Sequence, residues 1–252
     1  MGHDDLEALE VVAVETGVSG DQALALQQGM GAQRYAAAVT KGEEREDIGV
    51  FERWFGAAMG TSQLNFLNAD DLHCLRMADH TKAARIAYVT MNPKHDLVRQ
   101  HIRAGGAAAV LEEGINGAMI TLYDRGSHIP LLWAHLIPAT LEGKALFNVQ
   151  NSMFAALMAF VMGCKVDNIR QGLRTFDTTF FQAPGRLNVY DDHPFKVILD
   201  YGHNPAAVAA MADLASRLKV TGRRICVLAG PGDRRDEDIR DMARTAGIQP
   251  AP

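Results

Sequence analysis

The sequence predicts an α/β protein preceded by a helical N-terminal segment, and three observations predict it. With 48% hydrophobic and 22% charged residues and a mean hydropathy of -0.07, the chain has the profile of an ordinary folded protein, which excludes whole-chain disorder. From about residue 64 onward, short apolar or β-branched runs alternate with helical periods, the texture of an α/β fold. Near the C-terminus a strand, loop and helix follow one another twice. At roughly 150 residues per domain, 252 residues correspond to one or two domains.

The first 60 residues read as helices: DDLEALEVVAVETG, then GDQALALQQGMGAQRYAAAV after the Ser19-Gly20-Asp21 break, then DIGVFERWFGAAMG. LNFLN, RIAYVT, AAAVLEE and AMITLYD follow as strand-like runs, with DLHCLRMAD and HDLVRQHIRAG as helical stretches among them. A long helix is expected from about Phe147 to Met162, ended by Gly163 in the left-handed conformation that helix exits favour, and a second from about Val166 to Phe176. Thr178 to Gly185, closing on Pro184-Gly185, reads as a linker. Two strands, LNVYD and FKVILD, are expected next, then a helix from Pro205 to about Leu218, a strand RRICVLAG and a helix from near Asp236. The sequence stops one unit into what is normally a larger sheet, so a truncated C-terminal domain is expected.

Charge and hydropathy exclude several classes of partner. Thirty acidic against 25 basic residues give a net charge of -5, so no global basic field exists to hold nucleic acid or an anionic membrane, and any phosphate binding must be local. The longest apolar stretch, Phe154 to Cys164, is about half of the roughly 20 residues a bilayer crossing needs. Asp4, Asp5, Glu7 and Glu10 stand where a secretory signal places basic and then apolar residues, and Leu6 occupies the hydroxyl position of a myristoylation signal. A cytoplasmic protein is expected. Cys74, Cys164 and Cys226 are odd in number, far apart and set in apolar segments, which suits buried thiols in a reducing compartment.

The residues able to carry chemistry cluster late in the chain. Asp200 closes FKVILD, and the loop Tyr201-Gly202-His203-Asn204 leads to Pro205, with Asn204 suited to the N-cap and Pro205 to the first helical turn. RRICVLAG opens likewise into Pro231-Gly232-Asp233-Arg234-Arg235. If the two strands are parallel neighbours, both loops lie at one carboxyl edge, where doubly wound folds bind ligands. Asp200 and His203 read equally well as a turn carboxylate and a surface histidine. Arg186, after Pro184-Gly185, is either a solvated hinge arginine or a fork of donors for phosphate. Asn148 and Asn151, three apart at the start of the long helix, either cap it or offer two amides to a purine edge. The sequence has no CxxC and no HExxH, so a zinc site has little support, and Gly143-Lys144 lacks the upstream glycine of a P-loop.

Taken in order, Asn148-xx-Asn151 with its small-residue helix, Pro184-Gly185-Arg186, and Asp200-Tyr201-Gly202-His203-Asn204-Pro205 resemble the second half of a Mur-type ATP-dependent amide ligase. The wording LNADD at 67–71, then HIPLLWAHLIPATLEGKALFNVQNSMFAALMAF, GLRTFDTTFFQAPGRLNVYDDHPFKVILDYGHNPAAV and LAGPGDRRDEDIRDMA, is similar to the Mur-like module of the cyanophycin synthetase family over about residues 64–246. The resemblance implies residues 61–183 as a partial central ATPase domain and 184–252 as a truncated Rossmann-like C-terminal domain, with 1–60 a helical segment it does not cover. It implies ATP and Mg as cofactors and arginine and an aspartate-rich polymer as partners, and it is compatible with a homo-oligomer; no nucleic acid and no membrane are expected from the charge and hydropathy above. In such ligases a carboxylate is phosphorylated by ATP, an amine attacks the acyl phosphate, and an amide forms with release of ADP and phosphate. On matching positions Asn148 and Asn151 would contact adenine, Arg186 the phosphates and Asp200 the ribose, with His203 and Asn204 lining the same crevice. The sequence departs from the family in lacking the P-loop before LNADD and the magnesium ligands. A non-catalytic nucleotide- or polymer-binding relative and a degenerate fragment are the alternatives.

Overall fold

The computed structural model describes residues 13–14, 64–81, 83–192, 194–229 and 235–247. A six-stranded sheet runs in the order β1 (Ala13–Val14), β2 (Leu64–Asn68), β3 (Arg85–Thr90), β4 (Ala107–Gly114), β5 (Gly117–Asp124) and β6 (Ser127–Trp133). The first four strands are parallel, with Phe66 opposite Ala87 and Ala87 opposite Ala107. Parallel neighbours need a crossover. Helices α1 (Leu72–Ala78) and α2 (Asp96–Arg103) supply the crossovers between β2, β3 and β4.

Within the LNADD stretch each polar residue has a local task. Asp71 caps α1 by accepting from the Cys74 amide at 2.9 Å. Asp70 accepts from Thr90 Oγ1 at 2.5 Å and from the Met91 amide at 2.6 Å, tying off the end of β3. Leu67, Tyr88, Ala108 and Val110 on the strands pack with Met77 of α1 and Val98 of α2 in one cluster. Phe66, Ala87, Val89, Ala107 and Ala109, the alternate residues of the same strands, are also buried. Both faces of the central strands are therefore covered, which explains their near-continuous apolar runs.

The later strands turn back tightly. Arg125 (φ 49°) and Gly126 (φ 82°) form the two-residue connection from β5 to β6, and two consecutive positive φ values are the type I′ pattern of a hairpin.

The chain divides into two compact units. One runs to Gly114 and takes in Met119–Leu131 and Met153–Val166; the other comprises Ile115–Ala118, Leu132–Ser152 and Asp167–Pro252. Helix α3 (Leu146–Val161) begins in the second unit. It ends at Gly163 with φ 88°, as expected from the sequence. Also in the second unit are α4 (Val166–Thr175, from Asp167 onward), the hairpin of β7 (Asn188–Tyr190) and β8 (Val197–Leu199), α5 (Pro205–Arg217) and α6 (Asp236–Gly247). Helices α5 and α6 pack together, and Ala145, Leu187 and Leu214 form the centre of an apolar cluster joined by Phe147, Ile198 and Met211.

Several expectations need correction. Ala13–Val14 is a strand paired with Phe66 and Leu67, within a stretch read as helix; the β-branched run Val11-Val12-Ala13-Val14 suits extension beside an existing strand. The rest of the expected N-terminal helices lies outside the described residues. β6 was not anticipated, because Pro130 interrupts its pattern. Proline is tolerated there since β6 is the last strand in the sheet order.

RRICVLAG forms no strand over its described residues 223–229. Ile225 and Val227 are 79% and 94% exposed, and β8 pairs antiparallel with β7. A β-branched run without a partner ladder has nothing to hold it extended. The parallel carboxyl edge expected to join the Asp200 and Arg235 loops is thus absent among the described residues. Finally, Cys74 is buried, but Cys164 and Cys226 are exposed: Cys164 follows the helix exit at Gly163, and Cys226 lies within the stretch 223–229 that forms no strand.

Candidate functional site

All six residues singled out for a nucleotide fall in the second unit. Asp200 follows β8 and uses both oxygens at once. Its Oδ2 accepts from the Leu187 amide at 2.9 Å, and its Oδ1 accepts from the Gly202 amide at 2.8 Å. The carboxylate therefore clamps the segment after Pro184-Gly185 onto the loop after β8. That clamp holds an unusual residue: Leu187 is left-handed, with φ 49°, while its side chain is 1% exposed. A left-handed leucine costs roughly 1–2 kcal/mol, which the core contacts and the Asp200 bond offset. A carboxylate oxygen has two acceptor sites, so each oxygen of Asp200 retains capacity for a further donor.

Arg186 lies immediately before this leucine and is exposed. Its guanidinium stands 5.3 Å from the centre of the Tyr201 ring, a cation-π arrangement that holds the side chain over the loop. It has no ion-pair partner among the described residues. The Tyr201 ring lies 5.2 Å from that of His203, tilted at 48°, and His203 is 9% exposed. Arg186, Asp200, Tyr201 and His203 are thus brought together. Asn204 caps α5, its Oδ1 accepting from the Ala207 amide at 2.8 Å.

Asn148 and Asn151 do share one face of α3, as their spacing requires. Asn151 Nδ2 donates to Asn148 Oδ1 at 3.1 Å, and Asn148 Nδ2 donates to the Ala139 carbonyl at 2.7 Å. Asn148 is half-buried and braces the start of the helix, whereas Asn151 is exposed. The amide pair is tied to the arginine cluster through the core, since Ala145 and Phe147 pack in the same apolar cluster as Leu187.

Arg235, expected near Asp200, instead makes a bidentate pair at 3.0 Å with Asp238 one turn along its own helix. That contact raises its pKa further. Asp233 and Arg234 lie outside the described residues.

One organising residue was missed at the sequence level. Asn188 is 1% exposed; its Oδ1 accepts from the Gly185 amide at 2.8 Å, and its Nδ2 donates to the carbonyls of Thr178 at 2.7 Å and Ala183 at 2.8 Å. It shapes the whole turn that presents Arg186. The signal was an asparagine three residues after glycine, too common to be distinctive. Among the described residues, no group of three or more His, Cys, Asp or Glu side chains is placed to hold a metal ion, so these residues do not by themselves fit magnesium. Nor is any described helix long and apolar enough to cross a membrane.

A strained turn that presents a guanidinium, clamped to the loop before a capped helix, sits in a segment with a recognisable pedigree. Residues 185–249 match the family described as Mur ligase, glutamate ligase domain. More particularly, the chain is similar to cyanophycin synthetases. It is 42% identical over 184 residues to that of Trichormus variabilis, covering 71% of this chain and 19% of that protein. It is 41% identical over 180 residues to that of Synechocystis sp., covering 71% and 20%. A UDP-N-acetylmuramoyl-L-alanyl-D-glutamate--2,6-diaminopimelate ligase of Corynebacterium efficiens is 31% identical over 130 residues, 51% of this chain and 22% of that protein. The chain spans about a fifth of the length of these relatives.

Proposed function

We propose that this chain contributes to an ATP-dependent ligase that forms carbon-nitrogen bonds, of the cyanophycin synthetase kind, acting in the cytoplasm on an aspartate-rich polymer with arginine as the incoming amine. The observation that carries the reading is Arg186, an exposed guanidinium without an ion-pair partner among the described residues and steadied over Tyr201. In this role its fork of donors meets the phosphates of a bound nucleotide. Asp200 accepts a ribose hydroxyl with its remaining lone pairs while keeping its hold on Leu187 and Gly202. Asn151, with Asn148 behind it, faces the adenine, and His203 and Asn204 line the same crevice. ATP, when bound, supplies the phosphoryl group that activates a carboxylate toward an amine. Charge builds on that group in transit, so a guanidinium already in position lowers the barrier.

Calorimetric titration with ADP and ATP tests the reading. Arg186→Ala should weaken binding by about tenfold, roughly 1.4 kcal/mol, with Arg186→Lys losing less. Equal affinity in Arg186→Ala and the unaltered chain would remove the basis of the assignment.

The alternative of a nucleotide- or polymer-binding relative without catalysis is favoured by the sequence's lack of a P-loop and by the absence of a metal-binding group among the described residues. Supplying ATP, magnesium, arginine and an aspartate-terminated primer separates the two. Little ADP is expected from this chain alone, and binding without turnover is the signature of the alternative.

A further inference from the structure

Arg186 sits between two left-handed residues, Gly185 at φ 70° and Leu187 at φ 49°. A left-handed leucine so close to a left-handed glycine persists only where neighbouring groups hold it. Two side chains do so. Asp200 holds the far side of the turn by accepting from the Leu187 amide. Asn188 holds the near side, and the way it does so bears on the arginine.

Asn188 is buried, and among the described residues each of its side-chain bonds ends on the backbone of residues 178–186. Besides its bonds to Gly185, Thr178 and Ala183, its Nδ2 stands 3.5 Å from the carbonyl of Arg186 itself. The Ala183 carbonyl that it meets also accepts from the Arg186 amide, at 3.1 Å. Both peptide groups of Arg186 thus belong to one network centred on Asn188. The chain just before is closed on itself as well: Gln182 Oε1 accepts from the Asp177 amide at 3.2 Å, and Asp177 Oδ1 from the Thr179 amide at 2.9 Å. The stretch that reads as a linker in the sequence is therefore pinned.

A carboxamide suits this position because it carries an acceptor at one end and two donors at the other. A carboxylate keeps the bond from Gly185 but sets charge against the carbonyls of Thr178 and Ala183. Alanine leaves those carbonyls and the Gly185 amide short of partners. The Arg186 side chain is fixed at its origin by this network, and its guanidinium rests 5.3 Å from the centre of the Tyr201 ring. Holding both ends removes rotamer freedom that a loose arginine forfeits on gripping an anion.

We propose that Asn188 is a positioning residue that sets the stance of Arg186 over Tyr201 and so preorganises the guanidinium for an anionic ligand. The stance concerns this chain alone; the gain in affinity rests on the nucleotide reading above.

Two measurements on the full chain test it. In heteronuclear NMR the Arg186 Nε–Hε signal, identified by its disappearance in Arg186→Lys, is expected upfield because it lies over the face of an aromatic ring. Tyr201→Leu should abolish that displacement. Asn188→Ala and the isosteric Asn188→Asp should abolish it too, with circular dichroism showing unchanged helix content. Met242→Ala removes a buried side chain of α6 in the same unit and should leave the signal in place. Calorimetric titration with ADP reads the consequence: Asn188→Ala should weaken binding by at least about threefold, and should add nothing to the loss in Arg186→Ala, since the two act as a coupled pair. An upfield signal that survives in both Asn188 variants overturns the proposal. Equal loss of the signal in Met242→Ala overturns it by reducing the effect to general loosening, and loss of helix content in both Asn188 variants does so by making the residue a determinant of the fold alone. Additive losses in Asn188→Ala and Arg186→Ala overturn the gain in affinity. ADP binding indifferent to Arg186→Ala strikes the nucleotide reading instead, and the NMR signal still decides the stance.

Discussion

Gly106 and His101 show how one residue's absence of a side chain serves another. A β-carbon at Gly106 would lie 2.2–2.4 Å from three atoms of the His101 ring. That ring is held in place by a 3.0 Å contact of Nε2 with the Ile86 carbonyl and an edge contact with Tyr88 at 4.9 Å. It cannot retreat without giving up both. Gly106→Ala should therefore destabilise the fold by about 1–3 kcal/mol, the usual cost of overpacking, as read by urea denaturation. In a His101→Ala background most of that penalty should vanish, because the two positions are in contact and couple; additive effects would show that the alanine clashes elsewhere. Asn204 belongs to the same scale, and both its cap and the following proline were legible from sequence, since a cap is settled within four residues. The roles of Asp200 and Asn188 were not, because their partners lie in turns whose closure no local pattern announces.

Among the elements, the connection from β5 to β6 carries a correctable flaw. A type I′ turn asks both central residues to adopt positive φ, which suits Asn-Gly, yet Arg125 occupies the first position at φ 49°. Its amide donates to the Gly105 carbonyl at 3.1 Å, a bond that asparagine preserves. Arg125→Asn is expected to stabilise the protein by about 0.5–1 kcal/mol, measured as a rise in the urea midpoint with unchanged slope. A fall would mean that the arginine side chain contributes something beyond the turn. The element that sequence reading lost, β6, and the one it wrongly supplied, RRICVLAG, fail for a common reason. Strand formation depends on a hydrogen-bonded neighbour, so Pro130 is harmless on an edge and Ile225 and Val227 are insufficient without a partner.

For the whole molecule, stability depends on pH through groups whose protonation differs between the folded and unfolded chain. Burial holds His101 below the ordinary histidine range, ahead of the opposing effect of its carbonyl contacts. A unit or more above the ordinary histidine pKa of about 6.5 the ring is neutral in both states and contributes almost no slope. Below that the unfolded chain takes up the proton first, so stability falls as pH drops, by at most about 1.4 kcal/mol per pH unit from this group. Urea unfolding at pH 7.5 and 5.5 should show that loss, and His101→Asn should show less of it. An identical difference in the variant would assign the dependence to other residues. The carboxylates of Glu142, held down by Lys144, and Asp177, held down by Thr179, act in a lower window, because their stabilising effect is lost only as pH falls below the ordinary carboxylate range.

What the sequence determined by itself is the succession β2-α1-β3-α2-β4, the long helix ending at Gly163, and the capped start of α5. Each depends on periodicity or on contacts within one turn, and those forces act wherever the chain goes. Only the tertiary structure decided that Asp200 clamps a left-handed leucine, that Arg186 rests on Tyr201, and that Asn188 pins the turn around that arginine. On sequence alone Asn188 is indistinguishable from any asparagine that follows a glycine. Its meaning comes from the carbonyls placed around it, and that placement is the product of the whole folded unit.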